Sequence, residues 1–103
     1  MSDGYVLRHD GGSIDVTPSA LGQIVQRAAE SVEGARVRRP RRSLDVHVDD
    51  GRARVELELA ARYGVVLPDL ARDVQERVAD ALATMVELEV QSVDVSIEEL
   101  ERT

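Results

Sequence analysis

Apolar residues recur along this chain at two spacings, 3.6 residues and two, and the change from one to the other marks out its elements. In VTPSALGQIVQRAAESVEG, Leu21, Ile24, Val25, Ala28 and Val32 fall on one helical face. Thr17 can cap that helix, Pro18 suits its first turn and Gly34 its end, while Val16 and Leu21 occupy the positions of a hydrophobic staple. A helix over residues 18 to 33 is predicted. In LDVHVDDGRARVELELA the period becomes two: Leu44, Val46 and Val48 alternate with Asp45, His47 and Asp49 ahead of Asp50-Gly51, a dipeptide suited to a two-residue hairpin loop. That loop sets Asp49 against Arg52, Val48 against Ala53, His47 against Arg54, Val46 against Val55 and Leu44 against Leu57. Each apolar residue then meets an apolar one, and a slip of one position would turn the whole set to solvent.

Beyond residue 61, Gly64 breaks the strand and Pro68 starts a second helix, with an apolar stripe of Leu70, Val74, Val78, Ala81, Leu82 and Met85. Asp69, Arg72, Asp73, Arg77 and Asp80 lie outside it, Asp73 and Arg77 at the spacing of an i,i+4 pair. VDVSI then alternates Val93, Val95 and Ile97 with polar residues, and short apolar spots at 5 to 7 and 35 to 37 can each add a strand. Strands apolar on one side need cover on that side only. The expected fold is therefore α+β: a two-layer sandwich in which a mainly antiparallel sheet of three or four strands is covered on one face by two helices. Residues 1–13 read as a flexible N-terminal segment, 14–98 as a single domain and 99–103 as a tail.

Composition narrows what such a domain can do. The 103 residues include no Cys, Phe or Trp and two Tyr, so the core is aliphatic, and disulfides and thiolate metal sites are excluded. No stretch approaches the roughly 18 apolar residues that cross a bilayer, which predicts a soluble, cytoplasmic chain without direct membrane insertion.

The candidate chemistry is sparse. Asp45, His47 and Asp49 project from one side of a strand in the manner of metal ligands, but alternate residues stand about 6.5–7 Å apart and Asp is short. Arg54, opposite His47, would also repel a cation. His9-Asp10 lies among glycines with no second His nearby, and Ser13, Ser19, Ser31, Ser43, Ser92 and Ser96 show no nucleophile elbow. Glu56/Glu58 and Glu98/Glu99 read as a solvated face and a tail, and Gly11-Gly12 is too brief to cradle a phosphate. No catalytic residue, metal, cofactor or small-molecule substrate is expected.

One feature stands out against the net charge of −7: RVRRPRR, residues 36 to 42, where Arg36, Arg38, Arg39, Arg41 and Arg42 flank Pro40. Three readings are open. The run is a solvated loop offsetting Glu30, Glu33 and the acidic strand faces. Alternatively it is an anion-binding loop for an acidic partner or a neighbouring copy, since guanidinium groups pair bidentately with carboxylates. The third reading is a small nucleic-acid-binding module. That reading lacks a GXXG clamp and surface aromatics, and the net charge opposes it.

The succession of VTPSALGQIVQRAAESVEGARV, VDDGRARVELELAARYGVVLPDLARDVQERVADAL and VQSVDVSIEEL resembles the alkaline-shock-protein, or Gls-type, family of bacterial envelope stress proteins. Its most specific part is the acidic Gly turn, the alternating strand, Tyr63-Gly64, the Pro-initiated helix with Val74-Gln75-Glu76-Arg77-Val78, and the closing Val-rich strand. The resemblance implies a non-enzymatic, cytoplasmic protein that self-associates, is held near the membrane by an anchored partner, and supports envelope homeostasis. It carries over no catalytic residue, and the arginine run is not part of its pattern.

Overall fold

In the computed structural model, which describes residues 2–102 except the side chains of Pro40 and Arg41, the chain runs β1 (Tyr5–His9), β2 (Gly12–Val16), α1 (Pro18–Glu30), β3 (Ala35–Val37), α2 (Pro40–Ser43), β4 (Leu44–Asp49), β5 (Arg52–Arg62), α3 (Leu67–Val86) and β6 (Glu89–Glu101). The central strand is β5. Antiparallel β4 and β3 lie end to end along one of its sides, and β6 runs parallel to it along the other. Helices α1 and α3 pack side by side over one face of this sheet, so the α+β two-layer arrangement holds and two of the three strand pairings are antiparallel.

The β4–β5 hairpin has the expected register, from Asp49 opposite Arg52 to Leu44 opposite Leu57. Asp50 and Gly51 both take positive φ, +52° and +72°, as a type I′ turn requires. Inward residues Ala53, Val55, Leu57, Leu59 and Ala61 of β5 are buried and meet Leu21, Val25 and Ala29 of α1 and Leu70, Val74, Val78, Leu82 and Val86 of α3 in one aliphatic core.

Both helices differ slightly from expectation. The α1 start is as read, with the Thr17 hydroxyl accepting from the Ala20 N–H at 3.1 Å. Its end comes three residues early, at Glu30, because the Ser31 hydroxyl donates to the Ala28 carbonyl at 2.6 Å while Val32 folds back onto the core. Gly34 then turns the chain at φ +92°, where a Cβ would stand 3.2 Å from Val65 Cγ1. On α3 the buried line advances in steps of four, which leaves Met85, about 100° from Val86, 62% exposed and outside the core. Arg77 donates to the Ser31 hydroxyl at 3.2 Å, tying α3 to the end of α1.

The chain ends need a larger correction. The segment expected to be flexible, 1–13, contains β1 and the start of β2, a hairpin whose Leu7 is buried, with Tyr5 and Val16 packed against the core. Ahead of it, Asp3 N–H donates to the Val46 carbonyl (2.8 Å), while Val46 and Val48 N–H donate to Ser2 Oγ (3.1 Å) and Asp3 Oδ2 (2.8 Å). These residues close the outer edge of β4. Residues 99–101 belong to β6, which spans thirteen residues. A bulge between Ile97, opposite Leu59, and Glu99, opposite Ala60, interrupts its alternation and hides its last residues from a period-two reading.

Candidate partner-binding surface

Side chains alternate across a strand, so the residues of β5 that do not face the helices, Arg52, Arg54, Glu56, Glu58, Ala60 and Arg62, form the spine of an uncovered face. Neighbouring strands extend each position into a row. Asp49, Arg52 and Glu89 make one row, His47, Arg54 and Ser92 the next, and Asp45, Glu56 and Asp94 a row of three carboxylates; farther along come Arg36, Ala60 and Glu99. Within the first row Arg52 pairs with Glu89 at 3.1 Å, and between the next two His47 Nε2 stands in hydrogen-bond contact with Glu56 at 3.1 Å.

The arginine run is an interruption of the β3–β4 edge. Val37 pairs with Leu59 and Leu44 with Leu57, so residues 38–43 are inserted opposite Glu58 alone. Two features hold the insertion. Arg39 takes a left-handed conformation (φ +43°), which reverses the chain into the single turn of α2. Buried Ser43 donates its hydroxyl to the Arg38 and Arg39 carbonyls, and Arg42 and Ser43 N–H donate to the Arg39 carbonyl at 2.8 and 3.0 Å.

Its five arginines have separate fates. Arg36 grips Glu101 bidentately, with Nε donating to Oε1 at 3.2 Å and Nη2 to Oε2. Arg38 Nε lies 3.0 Å from Glu99. Both pairs reach β6 across β5, Arg36 from β3 over the small, fully buried Ala60 and Arg38 from the position that follows β3. The hydrogen bond to Arg36 holds the Glu101 carboxyl below its usual range, and the same bond raises the Arg36 guanidinium above its own. Arg39 is exposed, and Arg42 lines a depression of about 300 Å³ with Ser43, Asp45, Glu56, Glu58 and Asp94. Among the described residues neither Arg39 nor Arg42 has an ion-pair partner. The side chain of Arg41 lies outside the described residues.

The charges offset by the run are thus not those nearest in sequence. Glu30 accepts the Val37 N–H at 3.0 Å and Glu33 stands 3.5 Å from Arg62, whereas the partners of Arg36 and Arg38 are Glu101 and Glu99. Both of those carboxylates lie in the stretch whose sequence reads as a tail. Asp45, His47 and Asp49 do share the open face, opposite Glu56, Arg54 and Arg52, and no cluster of three metal-ligand side chains occurs among the described residues. His9 and Asp10 are exposed at the tip of the β1–β2 hairpin. Chemically, the surface offers charged groups of both signs on one face of the sheet, suited to salt-bridging another macromolecule.

The model of the alkaline-shock-protein family, described as having a cell envelope-related function, matches residues 35–102, from β3 to the end of β6. Neither the comparison with curated proteins nor that with solved structures gives a match.

Proposed function

The chain belongs to the alkaline-shock-protein family and so to proteins of cell envelope-related function, and from that premise we propose that it serves the envelope without catalysis, by self-association and by docking to a membrane-anchored partner. The observation that carries this reading is the division of labour in the arginine run. Arg36 and Arg38 brace the sheet by pairing with Glu101 and Glu99 of β6, whereas Arg42 lies beside a carboxylate row and Arg39 is exposed. Such a surface presents bidentate donors to an acidic segment and acceptors to a basic one. No described helix is long and apolar enough to cross a membrane. In this reading the protein works in the cytoplasm and its partner makes the membrane contact. The nucleic-acid alternative loses ground, because two arginines of its supposed reader are engaged by glutamates and Arg42 stands over carboxylates that would repel a phosphate backbone.

The test is cross-linking in cells followed by membrane fractionation, with the Arg39→Ala/Arg42→Ala double variant beside the unaltered chain. The unaltered protein should cross-link to a membrane protein and the variant should lose it while remaining folded. An identical cross-linking pattern for both, or none to any membrane protein, would reject the docking surface.

A further inference from the structure

Along its outer side β6 carries no second strand, since among the described residues it pairs with β5 alone. The opposite edge of the sheet is closed: Glu30 takes the Val37 N–H, and Ser2 and Asp3 take those of Val46 and Val48. The direction of the free groups follows from one contact. Gln75 Nε2 of α3 donates to the Val93 carbonyl at 3.0 Å. A carbonyl of the β5–β6 ladder lies between the strands, out of reach of a helix side chain, so that of Val93 points outward. From Val93 to Ile97 the register with β5 is unbroken, which turns the N–H and C=O of Val95 and Ile97 outward as well. An open groove of about 440 Å³ lies beside this edge, between β6 and Gln75, Glu76 and Ala79 of α3.

The sequence of β6 is nearly self-complementary about Val95. Residues 90, 93, 95, 97 and 100 are apolar, and the extra residues, 91 in one bulge and 98 in the other, lie symmetrically enough that Gln91-Ser92 mirrors Glu98-Glu99. Set antiparallel to itself about that centre, β6 places Val95 against Val95, Val93 against Ile97, Val90 against Leu100 and Asp94 against Ser96. Glu98 and Glu99 meet Ser92 and Gln91. The one like-charge opposition is Glu89 against Glu101, and each of these already has its own arginine, Arg52 at 3.1 Å and bidentate Arg36. Leu100, 49% exposed in the single chain, would gain cover. Directly opposed like charges are what usually forbid such pairing.

We infer that β6 is the self-association surface of this protein: two copies pair their β6 edges antiparallel across a two-fold axis at Val95, joining two sheets into one. This rests on the self-association reading above and specifies its geometry. Residues Val93, Val95 and Ile97 each exchange two hydrogen bonds with the other copy, and the Val93 carbonyl can accept from both Gln75 and its new partner. Because the far edge of each sheet is closed, the assembly stops at a dimer instead of growing into a fibre.

Sedimentation equilibrium of the full chain across protein concentrations tests this. Val95→Pro removes an outward N–H from each copy, two hydrogen bonds per dimer, without touching the ladder to β5, and should raise the dimer dissociation constant roughly 30-fold. Should proline distort β6, Ser96 offers an independent test, since it faces Asp94 of the other copy twice. Ser96→Lys should tighten the dimer and Ser96→Asp loosen it, each roughly threefold at low salt, whereas Gln23→Lys on α1 should leave it unchanged. A dimer indifferent to the charge at position 96 and to Val95→Pro would place self-association elsewhere and overturn the β6 assignment alone. A monomer at every concentration would overturn both that assignment and the self-association reading.

Discussion

Replacing Leu82 and Met85 by alanine, one at a time, separates the packing of α3 from its hydrophobic pattern, because the two residues lie three apart in a single apolar stripe. Leu82 has no exposed surface and sits in the common core, whereas Met85 is 62% exposed. Truncating a fully enclosed leucine removes its transfer free energy and leaves a cavity that close-packed neighbours fill only partly, about 3 kcal/mol in all. Truncating Met85 forfeits little burial and replaces a good helix former by a slightly better one, so its cost should stay within about 0.5 kcal/mol. Urea unfolding followed by circular dichroism, at one protein concentration so that any association contributes equally, reads the difference. With a slope of about 1.5 kcal/mol/M, Leu82→Ala should lower the midpoint by roughly 2 M and Met85→Ala should barely move it. Equal losses from the two variants would mean that α3 is rotated from the placement described, and the core with it.

Glu101 supplies a pH test. Its carboxyl is held below its usual range by the hydrogen bond from Arg36, so the folded state favours the ionised form. The stabilisation is therefore present above the ordinary carboxylate range and fades as pH falls through the lowered folded value. Thermal melts between about pH 6 and 2 should show Glu101→Gln converging with the unaltered chain in acid, and a constant gap between them would contradict the pairing. Gly34 and Gly51 both hold positive φ, +92° and +72°, but a Cβ at Gly34 would press on Val65 at 3.2 Å while one at Gly51 meets nothing closer than 3.9 Å. Both alanine variants should lose about 1–2 kcal/mol from backbone strain, with Gly34→Ala the worse by denaturant titration, and the reverse order would refute the α1–β3 connection as described.

How much of this was legible in the sequence follows from the range of the interactions involved. The β4–β5 register was readable because a two-residue turn and a period of two fix each other locally, and both helices announced themselves through apolar stripes, α1 also through its Thr17 cap and α3 through Pro68. Local pattern does not state where a strand joins the sheet. Nothing in VDVSI says that β6 lies parallel beside β5, and the bulge at residue 98 gives its last residues the look of a tail. Of the N-terminal hairpin only the apolar spot at 5 to 7 showed in the sequence; β2 and its pairing with β1 were concealed by the glycine-rich tip and by edge contacts that Ser2 and Asp3 make more than forty residues away. The arginine run was conspicuous as a charge anomaly. Its internal partners were not, since Arg36 and Glu101 stand 65 positions apart and meet only once β3 and β6 flank Ala60.

The central claim is that this chain acts through contacts with other macromolecules on two separate parts of one sheet, and photo-cross-linking in cells tests it most directly. A photoreactive residue in place of Ser96 should capture a second copy of the same chain, and one in place of Arg39 should capture a protein that sediments with membranes. Failure of both positions to capture these partners, in cells where the protein is folded and abundant, would contradict the claim.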